Sequence, residues 1–498
     1  MSKLKRTVAL ALLVCASLSL GGREVIRLET QADLDSLSGK WTRFLEMETD
    51  SLVLAFGEGT FFYGERFLDF TGARKPGTVL EIRGQGTTLV ARSAEGRETI
   101  DCAFVDLDAL RHTCLFSAPK QARFWTFPAL FRKNRFLLPV QEKNLPAEAA
   151  DGLKIILSQW FVGAVYPVEK IRNGFLYYRM QPKYRTRFWE ELRYGRCLPR
   201  YMLCPRKADE RLHRCGTSAF LVMVDCDFAS VSVHGIRFLG NAAGSPLLDF
   251  TRVRAAETVL SDNCFEGIRS DVVRVDGSDR FRLEDNMFRD CYLNCVTVTK
   301  FTRDAVIRGN TFDNIGLMMT NAPVVDCKGV NFLVCDNRFR DYSYAAIGVG
   351  THFSDPDGCV SEGVVEKNEI SMSDDFRAGA MRELIDGGAI YIWTQNRCVV
   401  IRDNYIHDID GPHGNRGIFG DDGVVNVTVC GNTVENVGHR AYAIDVRKAF
   451  WVQNRPENRC KRVNVGNKIF GNRVKGRFRA FIRKDDPDSV LKDNIVTK

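Results

Sequence analysis

The chain has 498 residues, of which 27% are charged and 45% hydrophobic, and a formal net charge of +8. That balance belongs to a folded globular protein and excludes a disordered chain or a multi-span membrane protein. The positive surplus is a mild bias towards anionic partners such as acidic glycans, too dilute over the whole chain to suggest nucleic acid.

The chain opens Met1-Ser2-Lys3-Leu4-Lys5-Arg6, followed by an apolar run from Val8 to Leu20 and then Gly21-Gly22. A basic stretch, a short apolar core and small residues predict a secretory signal peptide over residues 1–22, too short to anchor in a bilayer. Its removal leaves a formal charge of +5, since Lys3, Lys5 and Arg6 go with it. The expected location is therefore secreted, periplasmic or cell-surface, with no transmembrane span. Cys15 follows Val14, where a lipoprotein signal needs a small residue, which argues against a lipid anchor. Of the sixteen cysteines, fifteen remain after cleavage, an odd number, and no CxxC occurs. Many sit in strand-like runs (Cys295-Val296, Val334-Cys335, Val429-Cys430), so reduced, buried thiols are expected and a zinc site is not.

Residues 23–110 read as an N-terminal cap and opening coils, with Leu52-Val-Leu-Ala-Phe56 and Val79-Leu-Glu-Ile82 as strands. From 111 to 215 the pattern is lost, and a stretch rich in Phe, Trp, Tyr and Arg, including Ile155-Ile-Leu-Ser-Gln-Trp160 and Phe175-Leu-Tyr-Tyr178, predicts an inserted β-rich subdomain. From 216 to 498 a short unit recurs in which Asn and one more residue precede a hydrophobic residue: Asn263, Asn286, Asn310, Asn337, Asn368, Asn404, Asn432 and Asn472, at spacings of 23, 24, 27, 31, 36, 28 and 40 residues. The shorter spacings suit one three-strand turn of a right-handed parallel β-helix, and the longer ones add loops. Each Asn is expected at a corner, taking left-handed backbone and hydrogen-bonding the Asn of the next coil. A second strand follows each unit, among them Ala389-Ile-Tyr-Ile392, Gly417-Ile-Phe419 and Ala443-Ile-Asp-Val446. The fold class is all-β.

Insertions after Val349, Ile370 and Ile406 place the functional region beside residues 346–447, because a solenoid holds its loops rigidly in place. Alignment on Ile390, Ile418 and Ile444 makes Tyr391, Phe419 and Asp445 one outward ladder and Trp393, Asp421 and Arg447 the next. Aromatic faces beside carboxylates suit a sugar ring, whose apolar side stacks while its hydroxyls are read by acids. Glycosidic cleavage needs two carboxylates, and Asp421 is the first candidate. Asp386, Asp422 and Asp445 are each open as its partner. Three of the seven histidines, His407, His413 and His439, belong to this region; His407 and His413 are candidates to orient or protonate a substrate oxygen. Asn426-Val-Thr428 matches a glycosylation acceptor but falls between strand signals and is read as chance.

The segments Asp386-Gly-Gly-Ala-Ile-Tyr391, Asn404-Tyr-Ile-His-Asp408 and Gly417-Ile-Phe-Gly-Asp421-Asp422-Gly423, followed by Val429-Cys-Gly-Asn-Thr-Val434, resemble the pectin-lyase-like β-helix glycoside hydrolases of bacteria, which include xylosidase, fucosidase and lacto-N-biosidase families. Gly420 stands where those families usually have leucine, and residues 445–459 depart from their pattern. The resemblance implies Asp386 with Asp421 or Asp422 as acid/base and nucleophile; the ladder and its loops set Tyr391, Trp393, His407, His413, Asp445 and Arg447 around the substrate, and no cofactor is expected. The expected protein is an exported, monomeric glycoside hydrolase acting on a polysaccharide or oligosaccharide. A polysaccharide lyase on an acidic glycan, using a Lys or Arg base and often Ca²⁺ on the uronate and supported by Arg447, and a non-catalytic glycan-binding β-helix are the alternatives.

Overall fold

The computed structural model describes residues 22–37, 49–64, 67–91, 219–240, 245–316, 322–352, 361–373, 387–409, 415–438, 442–448, 464–483 and 485–497, together with the backbone of six strands between 103 and 203. Residues 1–21 of the predicted signal peptide, Asp386, His413 and His439 lie outside the described residues.

The chain winds as a parallel β-helix with three faces. Each full coil lays down a strand on the first face, turns at an asparagine, lays a short strand on the second, and returns along the third. Cys398–Arg402, Tyr405–His407 and Arg416–Gly420 make one such coil, and each strand pairs in parallel with its counterpart one coil on. The first two faces form one 23-stranded sheet, because Arg74–Ala91 and Asp227–Leu239 bend from one to the other; the third is an 11-stranded sheet. Parallel crossovers of this kind are right-handed.

The interior is a set of side-chain columns. Phe238, Phe265, Phe288, Phe312 and Phe339 stand in register and stack with centroids 4.6–5.1 Å apart, and Ile370, Ile406, Val434 and Val474 continue the column. Phe288→Leu keeps most of the buried volume but removes two ring stacks, and is expected to cost about 1–2 kcal/mol in a denaturant titration. An unchanged midpoint there would mean the stacking adds nothing beyond burial.

Beside this column runs the asparagine ladder. From Asn263 to Asn472, each asparagine donates both its backbone N–H and its Nδ2–H to the Oδ1 of the next, at 2.8–3.2 Å, and Asn494 is the final acceptor. The left-handed residue is not the asparagine, as the sequence suggested, but the one before it: Asp262, Asp285, Gly309, Asp336, Lys367, Asp403, Gly431 and Gly471 have φ of 54–67°. The amide has to point inward at a carbonyl of the preceding coil, so the sharp bend falls one residue earlier, on types that tolerate it.

Arg74–Ala91 pairs directly with Asp227–Leu239, so the segment between them is inserted between adjacent coils. Its strands, Ala103–Phe104, Arg135–Pro139, Leu153–Gln159, Val162–Arg172, Phe175–Arg179 and Arg200–Leu203, form a separate six-stranded sheet with antiparallel pairings. The first of them lies ahead of the boundary expected at 111. At the N-terminal end a short helix of about two turns, residues 31–37, buries Leu34 and Leu37 against the first coils, covering an end that would otherwise expose the core. It starts with Thr30 and Asp33 capping each other's backbone N–H groups. Eight cysteines among the described residues are free thiols, five of them buried. Among the described residues no helix is long and apolar enough to cross a membrane.

Candidate active site

The register of the third face places the expected ladder side by side. Gly348, Tyr391, Phe419, Asp445 and Arg479 occupy equivalent positions on successive coils, and backbone bonds from Asp421 to Ile392 and from Arg447 to Gly420 carry the pairing on to Trp393, Asp421 and Arg447. Arg416 joins them from three residues before Phe419, which simple alternation would place inside. Gly417 makes this possible: a Cβ there would stand 2.4 Å from the Ala443 carbonyl and 2.6 Å from Val434, so glycine alone fits where the strand turns its edge inward.

Asp421 is partly exposed and accepts a 2.6 Å hydrogen bond on Oδ2 from the Tyr391 hydroxyl. Its Oδ1 lies 3.6 Å from Arg447 Nη1. The aromatic neighbour thus meets the carboxylate through its hydroxyl rather than through a ring face. Tyr391 is buried, and burial, reinforced by the charges of Tyr344 and Asp421, pushes its phenol well up, so it stays a proton donor. Its ring is fixed by Tyr344, Trp393 and Phe419, at 5.3, 4.6 and 5.1 Å. The Trp393 indole N–H has no hydrogen-bond partner among the described residues. Asp422 is buried and left-handed, φ 49°, and opens with Gly423, φ 87°, the turn back to the first face.

Asp445 is wholly buried and sits inside three guanidinium groups. Arg479 donates from Nε and Nη2 at 2.6 and 2.7 Å, Arg416 Nε donates at 2.9 Å, and Arg447 Nε lies 3.4 Å away. Burial pushes the carboxyl up, but the Arg479 hydrogen bond and the Arg416, Arg447 and Arg479 charges outweigh it and hold it below the ordinary carboxylate value. A carboxyl held low in the folded state contributes stability above its unfolded value and loses it as pH falls through the folded one. Asp445→Asn is therefore expected to cost about 2–3 kcal/mol at neutral pH, discounted for the exposed Arg479, and to flatten the loss of stability between about pH 5 and pH 3. Melting curves across that range check both; an unaltered pH slope would mean other carboxyls set it.

His407 stands on the second face, not beside Asp421. Its ring stacks on Tyr405 at 4.4 Å and its Nδ1 lies 2.6 Å from Asp408; that hydrogen bond holds the Asp408 carboxyl low. Two groups that the sequence did not single out belong to the third face. Arg416 and Arg479 complete the cage around Asp445, and Asp326, in register with Gly348, pairs with Lys328 at 2.8 Å while burial pushes its carboxyl up. Among the described residues no group of three or more His, Cys, Asp or Glu is arranged to hold a metal ion.

No family model matches the chain, and no curated protein does. Solved structures similar to it include a protein described as a glycoside hydrolase, at 11% identity and TM-score 0.37 over 95% of each chain. XylC in complex with xylose is similar at 8% identity and TM-score 0.30, over 91% of this chain and 82% of that one. The Gp54 tailspike of Acinetobacter baumannii bacteriophage AP22, in complex with a capsular saccharide, is similar at 8% identity and TM-score 0.17, over 84% and 74%. Identities and scores at this level transfer no activity.

Proposed function

We propose that the protein is an exported glycoside hydrolase whose working carboxylate is Asp421. The observation that carries this reading is the 2.6 Å hydrogen bond from a buried tyrosine to a solvent-accessible carboxylate on an aromatic-lined face. Such a donor fixes the carboxylate's rotamer through one oxygen while the group stays partly exposed, which is what an acid/base or nucleophilic aspartate requires. Trp393, partly exposed, supplies the ring surface beside it.

The second carboxylate is narrowed by burial. Asp445 shares Arg447 with Asp421, which keeps the two within about 9 Å, close enough for a carboxylate pair. Yet its carboxyl is inaccessible and occupied by arginines, so it acts by holding Arg447. Asp422 is buried in a turn. Asp386, which the sequence places two residues before the strand Gly388–Ile392, is the partner we propose. Arg447 offers only donors between two carboxylates, which disfavours it as the base of a lyase.

The test is a screen of wild type, Asp421→Asn and Asp386→Asn against neutral and acidic oligosaccharides, followed by reducing-sugar release and ultraviolet absorbance. Hydrolysis by wild type and by neither variant supports the reading. Hydrolysis that survives Asp421→Asn, or unsaturated products absorbing in the ultraviolet, sinks it.

A further inference from the structure

We infer that the glycan carries an anionic substituent, a carboxylate or a sulfate, and that Arg447, Arg477 and Arg479 read it on the third face, one to two coils C-terminal of Asp421. This deepens the reading of Asp421 as a glycan-directed group and rests on it. Two independent observations carry it.

The first is where the charge lies. Residues 441–498 contain fifteen Lys and Arg against six Asp and Glu, a surplus of nine, while the whole chain sums to +8. The first 440 residues are thus close to neutral, and the cationic character belongs to the C-terminal part of the sequence, whose described residues carry nine Lys and Arg against five Asp and Glu. A surplus gathered on one end raises the local concentration of an anionic ligand, which the same charge spread over the chain would not.

The second is how the guanidinium groups are held. Arg416 and Arg447 lie over the ring of Phe419, at 4.0 and 4.7 Å, and Arg477 and Arg479 over that of Tyr442, at 4.1 and 4.3 Å. Arg477 also donates to the Tyr442 hydroxyl at 2.7 Å. Two aromatic rings therefore pack four planar cations into one patch, and among the described residues the carboxylates that meet them are Asp445 and Asp421. The ring contacts hold the guanidinium groups in place and lower the rotamer freedom that a long side chain loses on binding; Arg479 engages Asp445 through Nε and Nη2, so what the patch offers an anion is its net charge, four cations against two carboxylates among the described residues. Arg477 and Arg479 are exposed and Arg447 is partly so. Arg447 lies one coil, about 5 Å, from Asp421, whereas Arg477 lies two coils on and four residues back along the strand, about 16 Å away, so the patch reaches a substituent a few sugar units from the carboxylate.

The full chain is titrated calorimetrically with galacturonate oligosaccharides, sulfated galactan oligosaccharides and neutral galactan oligosaccharides of equal length. Arg477→Gln is the variant, because Arg477 stacks on Tyr442 and does not reach Asp445, and an unchanged melting curve confirms its fold. At least one acidic oligosaccharide is expected to bind about tenfold tighter than the neutral one, with the advantage shrinking as salt rises and falling about tenfold in Arg477→Gln while neutral binding is unaltered. The better-bound acid names the substituent. Equal affinity for neutral and acidic forms, no binding of either acid, or an Arg477→Gln variant that binds the acids like wild type overturns the inference. Cleavage of neutral oligosaccharides alone overturns it and leaves Asp421 as the hydrolytic carboxylate. Salt-sensitive acidic binding without hydrolysis supports it and removes the hydrolase reading instead.

Discussion

Asp421→Asn is expected to lower kcat/KM on the cognate glycan by about 10³-fold, roughly 4 kcal/mol of transition-state stabilisation. The amide keeps the size of the carboxylate and can still accept from Tyr391, so the fold and ground-state binding should change little. What is lost is the charge and the ability to take or give a proton. Tyr391→Phe separates orientation from chemistry: it deletes the 2.6 Å hydrogen bond and leaves Arg447 as the described neighbour that fixes the carboxylate. A tenfold loss is expected there, mainly in kcat, since a misaimed carboxylate costs the chemical step more than it costs binding. If Tyr391→Phe were as inactive as Asp421→Asn, the phenol would itself be part of the proton chemistry. If both variants kept full activity, the third face would not be the active site.

How much of this could be read from the sequence depends on which interactions are periodic. The Asn rungs, the Phe column and the alignment of Ile390, Ile418 and Ile444 repeat once per coil, and a repeat is visible in a single chain. The outward pairing of Tyr391, Phe419 and Asp445 follows from the same register. Arg479 was within reach: extending the ladder one coil past Ile444 to Phe478 sets it opposite Asp445. Arg416 was not, because the close approach at Gly417 breaks period-two alternation and brings outward a residue that counting puts inside. Nor does strand counting distinguish the two carboxylates. Asp421 and Asp445 both look like acids on one face, and only the three converging arginines show that one is spent on structure while the other stays accessible. The placement of His407 on the second face is illegible for a related reason: nearness in sequence to an inserted loop does not say which of three faces a side chain leaves from.

The corner ladder also sets the largest expected loss of stability. Asn368 lies near its middle and is buried. Its Oδ1 takes both donors of Asn337, at 3.1 and 3.0 Å, and its Nδ2 reaches Asn404 at 2.9 Å and the carbonyls of Val334 and Glu366 at 3.0 Å. Asn368→Ala removes all five bonds at once. The Asn337 side chain keeps a bond to the Ile307 carbonyl, but its backbone N–H is left buried with no acceptor, and neither water nor a neighbouring coil can reach in without opening the stack. An orphaned buried donor costs about 1–3 kcal/mol, and the lost bonds and cavity add to it, so about 4 kcal/mol is expected. Asn494→Ala, on the final rung where the side chain is only partly buried, should cost about 1 kcal/mol because solvent can replace what the amide supplied. The comparison separates two accounts of the solenoid. If rungs stabilise only their own coils, the two variants differ by burial alone and each melts in one transition. If the ladder couples coils in series, Asn368→Ala should split the unfolding into two steps, with the C-terminal coils lost first, whereas Asn494→Ala should not. A loss of under about 1 kcal/mol for Asn368→Ala would show that the amides decorate a corner held by backbone pairing and the hydrophobic columns.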